Sequence, residues 1–220
     1  MKRFFPIAVP AFLLLALAVY FWQSNQSTKL YKKLPIIGNH RLDTVQLADG
    51  KLRIDTLFHK ISPFKFINQD GVEVDESIIK GKVYVCDYFF TTCQSICPIM
   101  SKQLDRVYDH WSDNPNVMIL SHTVDPETDT PEVLKAYSEK FKADNNRWIF
   151  LTGSKEALYT KARKDYLLDA RESFGGDEDF IHTQNFALVD QQGRIRGFYD
   201  GTINAEVDQL IKDISFLLME

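Results

Sequence analysis

Cysteine is scarce. Three in 220 residues are too few for a disulfide-stapled mini-protein, and a chain of this size buries an apolar core without staples. Any cysteine chemistry is therefore local. Positive charge is not in excess either: 26 Lys and Arg face 30 Asp and Glu, a formal charge of -4. No global basic field exists to neutralise a phosphate backbone, so nucleic acid is not an expected partner. Internal repeats and low-complexity tracts are also missing, which removes repeat arrays and biased tails. What remains is 45% hydrophobic and 25% charged, ordinary globular usage, at a length that fits one domain plus an appendage.

The appendage is N-terminal. From Phe4 to Trp22 (FFPIAVPAFLLLALAVYFW) there is no charge, and as a helix this run roughly matches a hydrocarbon core of about 30 Å. It reads as a transmembrane helix within a membrane anchor over residues 1–22. Pro6 and Pro10 loosen its early turns, while Tyr20 and Trp22 suit the far interface. A cleaved signal peptide is the competing reading, but no clear A-x-A-like site follows the run. Lys2 and Arg3 before it are balanced by Lys29, Lys32 and Lys33 after it, so charge alone leaves the orientation open. Residues 23–33 are polar and read as a tether, which leaves 34–220 as the folded domain.

Within that domain, periodicity places the elements. Phe64 to Ile67 and Val72 to Val74 flank Asn68-Gln69-Asp70-Gly71 as a hairpin. Val83 to Phe90 is a buried strand, followed by a loop and a helical stripe opening at Pro98. Val117 to Ser121 is a second strand, and Thr130-Pro131 starts a helix with a capping residue before proline. Trp148 to Leu151 is a third strand, Ser154 caps a helix reaching about Tyr166, and Gly175-Gly176-Asp177 marks an acidic loop. Phe186 to Val189 and Ile195 to Tyr199 form an antiparallel hairpin, and a last helix closes the chain. This order predicts an α/β fold of thioredoxin-like type, a mixed sheet flanked by helices, with parallel pairing first and antiparallel pairing after. Sites in such sheets lie beyond the carboxyl ends of parallel strands, where Thr91 to Cys97 and His122 to Thr130 fall.

Cys93 and Cys97 form C-x-x-x-C directly before Pro98. A helix starting at Pro98 puts Cys97 at or beside its N-cap, where unpaired N–H groups favour a thiolate. With roughly helical intervening residues the pair is close enough to form a disulfide or to bind a metal. A static bridge would hold little together, since closing so short a loop is worth only about 2 kcal/mol before strain. Cys86, inside an apolar strand, reads as a small buried hydrophobe. Asp87 lies six residues before Cys93, the spacing at which thioredoxins place a buried acid behind their thiols. It is either a proton acceptor for a thiol or an acid turned to solvent. His182 lies between the acidic loop and the strand TQNFALVD, where a loop imidazole can swing onto a thiolate-bound metal; His122 is the reserve ligand. His40, His59 and His110 read as ordinary partly exposed histidines. Two thiolates and one imidazole make a soft three-coordinate site suited to Cu(I) and able to hold Cu(II), whereas structural zinc takes four closed ligands.

Together these residues resemble the Sco/SenC family, membrane-anchored thioredoxin-like proteins that help assemble the binuclear copper centre of cytochrome c oxidase. The resemblance covers most of 34–220. It rests on GKVYVCDYFFTTCQSICP with Cys93, Cys97 and Pro98; on VDPETDTPEVLKAYSEKF from Val124; on FLTGS from Phe150; and on FIHTQNFALVDQQGRIRGFYDG. It implies that Cys93, Cys97 and His182 are copper ligands, that Asp125 is an acidic residue near the thiols, and that the domain faces the extracytoplasmic, periplasmic side. It also implies a copper-accepting oxidase subunit or other client as partner. The family often has Pro-Asp where this chain has Gln94-Ser95, and Asp where it has Ile181, so two negative charges near the site are missing. The expected function is a membrane-tethered copper metallochaperone. The alternatives that share its residues are a metal-independent thiol-disulfide oxidoreductase, with Cys93 or Cys97 as the attacking thiol, and a redox or copper sensor. A peroxidase fits poorly: the P-x-x-x-T-x-x-C pattern of peroxiredoxins would need Pro at Cys86 and Thr at Phe90.

Overall fold

The densest apolar run of the sequence becomes the centre of the sheet. Val83–Phe89 (β5) is buried at every position, as a strand covered on both faces must be. The computed structural model describes residues 33–46, 49–141, 144, 146–168 and 183–220, together with Leu17 and Val19. The other strands are β1 (His40–Gln46), β2 (Leu52–Phe58), β3 (Lys65–Asn68), β4 (Glu73–Asp75), β6 (Val117–Thr123), β7 (Trp148–Thr152), β8 (Asn185–Val189) and β9 (Ile195–Asp200). The α-helices are α1 (Ile96–His110), α2 (Pro131–Ser138), α3 (Lys155–Thr160) and α4 (Asn204–Leu217). Seven strands form one sheet in the order β4-β3-β7-β6-β5-β8-β9. β6 runs parallel to β5 and β7, while β3 joins β7, β8 joins β5 and β9 joins β8 antiparallel. This is the mixed sheet that the element order predicts.

Alternation along β5 divides the core into two layers. Val83, Val85 and Phe89 meet Met100, Leu104 and Val107 of α1 and Leu210 and Ile214 of α4. On the other face Tyr84, Cys86 and Tyr88 meet Leu158 and Tyr159 of α3. Both layers lie within Leu34–Glu220, which forms one compact unit; Met1–Lys33 is a separate one. The larger unit therefore carries its own hydrophobic core, the mark of a domain.

Local chemistry sets the helix ends. Thr130 caps α2 by accepting the Val133 N–H, with Pro131 in the first turn, and Ser154 accepts the Ala157 N–H at 3.2 Å to start α3. α1 begins at Ile96 rather than Pro98, because a proline in the first turn removes only an N–H that has no helical partner there. α3 stops at Thr160 and widens into a π-turn over Lys161–Asp165, instead of running on as regular helix to Tyr166. Buried Lys161 explains the departure: its Nζ donates to the Ser62 carbonyl at 2.8 Å and pairs with Asp165 at 2.6 Å. Leu167 follows at a φ of 56°.

The ribbon β1–β2, a separate two-stranded sheet, has no counterpart in the sequence reading. Of the apolar run Phe4 to Trp22 only Leu17 and Val19 are described, both helical and about half exposed. The rest of residues 1–22, the tether up to residue 32, and the acidic loop at Gly175-Gly176-Asp177 lie outside the described residues. Among the described residues no helix is long and apolar enough to cross a membrane.

Candidate metal and thiol site

β5 ends at Phe89, and the chain turns through Phe90 to Ser95 before α1 begins. The Cys93 N–H donates to the Phe90 carbonyl at 3.3 Å, so Cys93 sits in a tight turn on the loop while Cys97 lies inside the first helical turn. Both are free thiols; Cys93 is partly exposed and Cys97 is only 4% exposed. The Cys97 N–H donates to Cys93 Sγ at 3.5 Å, and Ser95 Oγ lies 3.6 Å from the same sulfur. The unpaired N–H groups of the helix start thus serve Cys93, not Cys97.

The two thiols are therefore poised differently. Burial pushes Cys93 up, but hydrogen bonds from Cys97 and Ser95 outweigh it and bring the thiol down to about 7. Burial, and then the hydrogen bond given to Cys93, push Cys97 up to about 12. The helix start expected at Pro98 is corrected: Ser95 is the N-cap, Cys97 lies within the first turn and in the core, and the partly exposed Cys93 is the readily ionised sulfur.

Asp87 lies on the face of β5 that carries Val85 and Phe89, in the layer that also contains Cys97. It is 1% exposed, which removes the solvent-turned alternative. Burial raises its carboxyl to about 7, against a hydrogen bond from Ser121. Its Oδ1 has no partner among the described residues.

His122 points the other way. Its ring stacks on Tyr88 with centroids 4.9 Å apart, and its Nδ1 lies 3.5 Å from Cys86 Sγ. It belongs to the second core layer, across the sheet from the cysteine loop, and is not available to a metal held by Cys93 and Cys97. Burial drives its pKa down to about 3 and raises the Cys86 thiol well above its ordinary range, so Cys86 is the inert core residue expected. His182 lies outside the described residues. Among those described, no group of three or more His, Cys, Asp and Glu is placed to hold a metal ion.

Asp129 is the site residue that the sequence reading passed over. It is fully buried, accepts the Thr91 N–H at 3.2 Å, the Thr91 hydroxyl, and the Thr123 hydroxyl at 2.5 Å. Its own N–H donates to the Asp125 carbonyl at 2.8 Å, and the Val124 N–H donates to the Phe89 carbonyl at 2.9 Å. One carboxylate thus ties the loop after β6 to the backbone two residues before Cys93. The available signal was a carboxylate directly before the Thr130-Pro131 cap, at the sheet end where the cysteines lie.

The SCO1/SenC family model matches residues 55–218. The SCO1 protein homolog of Bacillus subtilis (strain 168) is 34% identical over 73% of this chain and 83% of its own length. Among solved structures, BsSco is described as carrying a disulfide switch and as a member of the Sco family of cytochrome c oxidase assembly proteins. It is 32% identical over 74% of this chain and 95% of its own, with a TM-score of 0.62. Arabidopsis thaliana ScoI, solved with copper bound, is 27% identical over 72% of this chain and 98% of its own, with a TM-score of 0.57.

Proposed function

This chain belongs to the SCO1/SenC family, and on that premise we propose that it binds copper through Cys93, Cys97 and His182 and hands it to the binuclear copper centre of cytochrome c oxidase. The observation that carries this reading is the pairing of a partly exposed, readily ionised Cys93 with Cys97 one helical turn on. Two sulfurs at one sheet end supply the soft donors that Cu(I) prefers. β8 runs antiparallel to β5, so it begins beside the end from which the cysteine loop departs. The chain re-enters the described structure there at Thr183, to which His182 is bonded, and this supports His182 as third donor. The copper-bound Arabidopsis relative supports the choice of metal.

Binding requires both sulfurs as thiolates. Cys93 supplies one near neutral pH, while the proton of Cys97 leaves as copper binds. Residues 1–22 hold the domain at the membrane on its extracytoplasmic side, with 23–33 as tether. Copper titration of residues 34–220 tests the reading: one equivalent binds with a thiolate-to-copper absorption band. Cys93→Ser and Cys97→Ser each abolish the band and His182→Ala alters it. An unchanged spectrum in His182→Ala removes histidine from the site.

The buried acid favours a second reading, thiol-disulfide exchange on client cysteines. The Cys93 thiolate attacks a client disulfide and expels one client thiolate; Cys97 then loses its proton, with Asp87 as acceptor, and attacks Cys93 to expel the other. The client gains two electrons and the protein ends with a Cys93–Cys97 disulfide. Reductase activity that survives copper chelation and is lost in Cys93→Ser selects this reading over the first.

A further inference from the structure

Every residue of β1 is exposed, and in β2 only Asp55 is not fully so. Among the described residues neither core layer includes any member of this ribbon. Its register puts every charge on one face, together with Val45 and Leu57. Leu42, Leu52, Ile54 and Phe58 share the other face, and its remaining members are His40, two threonines and a glutamine. That face has no Asp, Glu, Lys or Arg. The charges Arg41, Asp43, Arg53 and Asp55 all stand on the opposite face, where Arg53 pairs with Asp55 at 2.6 Å. Leu42, Leu52 and Ile54 are 70%, 71% and 68% exposed. An uncovered two-stranded ribbon is marginal in water, and a contiguous exposed apolar face marks a docking surface.

We propose that this uncharged face of β1–β2 docks on the lipid bilayer, with Leu42, Leu52, Ile54 and Phe58 in the interfacial region. The proposal rests on the membrane-tether reading, not on the copper one. Between Trp22 and Leu34 lie 11 residues, which as flexible coil span on the order of 17–20 Å; Leu34 to Ile37 are then held against β9 and lead directly into the ribbon, which keeps it within reach of the surface. That connector contains Lys29, Lys32 and Lys33 and no acidic residue. At the base of the ribbon a groove of about 700 Å³ is lined by His40, Arg41, His59 and Lys60, while its Arg194 is already paired with Asp190. Apolar side chains flanked by cations match acyl chains beneath anionic phosphate headgroups.

The test uses the full chain reconstituted in phosphatidylcholine–phosphatidylglycerol vesicles, with a photoreactive diazirine residue placed at position 54 or, as control, at position 55. The chain floats with the vesicles, and illumination yields lipid adducts several-fold more abundant from position 54 than from 55. With the probe moved to position 42, Leu52→Glu together with Ile54→Glu removes the adducts, while flotation and the copper band of the folded domain persist. A chain that does not float overturns the tether and this proposal together. A floating chain with no adduct, equal adducts from both faces, or adducts to a second copy overturns this proposal alone and leaves the tether standing.

Discussion

Asp87 and His122 sit on adjacent strands but face opposite layers, and burial acts on them in opposite senses. Raised to about 7, Asp87 keeps its proton in the folded state while the unfolded chain has lost it, so its contribution to stability is full below about pH 4 and falls as pH rises toward 7. His122, driven down to about 3, stays neutral in the fold while the unfolded chain is protonated below about pH 6.5. Its contribution is full above that value and falls with acid. Each slope is about 1.4 kcal/mol per pH unit, and between about pH 4 and 6.5 the two cancel. Asp87→Asn uncovers the histidine: urea midpoints then drop with acid across that window more steeply than in the wild type. At pH 8 the variant gains stability of order 4 kcal/mol, because it no longer buries a carboxylate charge. Equal slopes in both proteins would show that Asp87 is ionised in the fold. Cys93 gives a companion measurement. Its alkylation rate has a midpoint near pH 7, and Cys97 stays unmodified until the domain unfolds.

At the scale of elements, the cysteine loop depends on a residue whose carboxylate bonds Thr91 and Thr123 rather than either sulfur. Asp129→Ala leaves the Thr91 N–H and two hydroxyls without their acceptor, and the expected loss is roughly 2–4 kcal/mol. Asp129→Asn, which keeps one oxygen, loses less. Beyond stability, loosening Thr91 moves the turn that presents Cys93, so the alkylation midpoint of Cys93 rises in both variants; an unmoved midpoint limits Asp129 to a structural role. The elements around this loop were legible because burial writes itself into sequence. β5, β6 and β7 are continuous apolar runs, Thr130 and Ser154 are capping residues, and the turns at Asn68–Gly71 and Gln191–Gly193 carry their own chemistry. The ribbon β1–β2 was not, since its pattern of apolar and polar residues faces no core. Nor was the π-turn after α3, which follows from the tertiary contacts of Lys161, or the assignment of the helix N–H groups to Cys93, which follows from α1 starting two residues early. Asp129 escaped because a buried carboxylate and a surface one look alike in sequence.

Across the compact unit Leu34–Glu220, the site occupies one end of the sheet and the unit's own first and last residues are gathered at the other. Ile195 pairs with Val189 and Asp200 with Asn185, which puts Arg196 at the sheet end away from the cysteine loop. Arg196 is 1% exposed. Its guanidinium donates to the Leu34 and Pro35 carbonyls at 2.8 and 3.0 Å, to Asp190 at 2.9 Å and to both oxygens of Glu220 at 2.7 and 2.6 Å. One side chain thus fastens the first and last segments of the compact unit to β9. The fixed fork of an arginine meets four groups where a lysine ammonium meets at most three. Arg196→Met keeps the stem but leaves Glu220 and the two carbonyls unpartnered. Removing one partner of a buried ion pair costs about 3–5 kcal/mol, and that loss is expected here as a lower urea midpoint, with Arg196→Lys between the two. Amide exchange near residues 34–37 and 217–220 accelerates first. The copper band and the Cys93 alkylation midpoint of the still-folded fraction remain as in the wild type, because the loosened segments join the sheet at the far end from the thiols; a shift in either would mean that the two ends of the sheet are coupled.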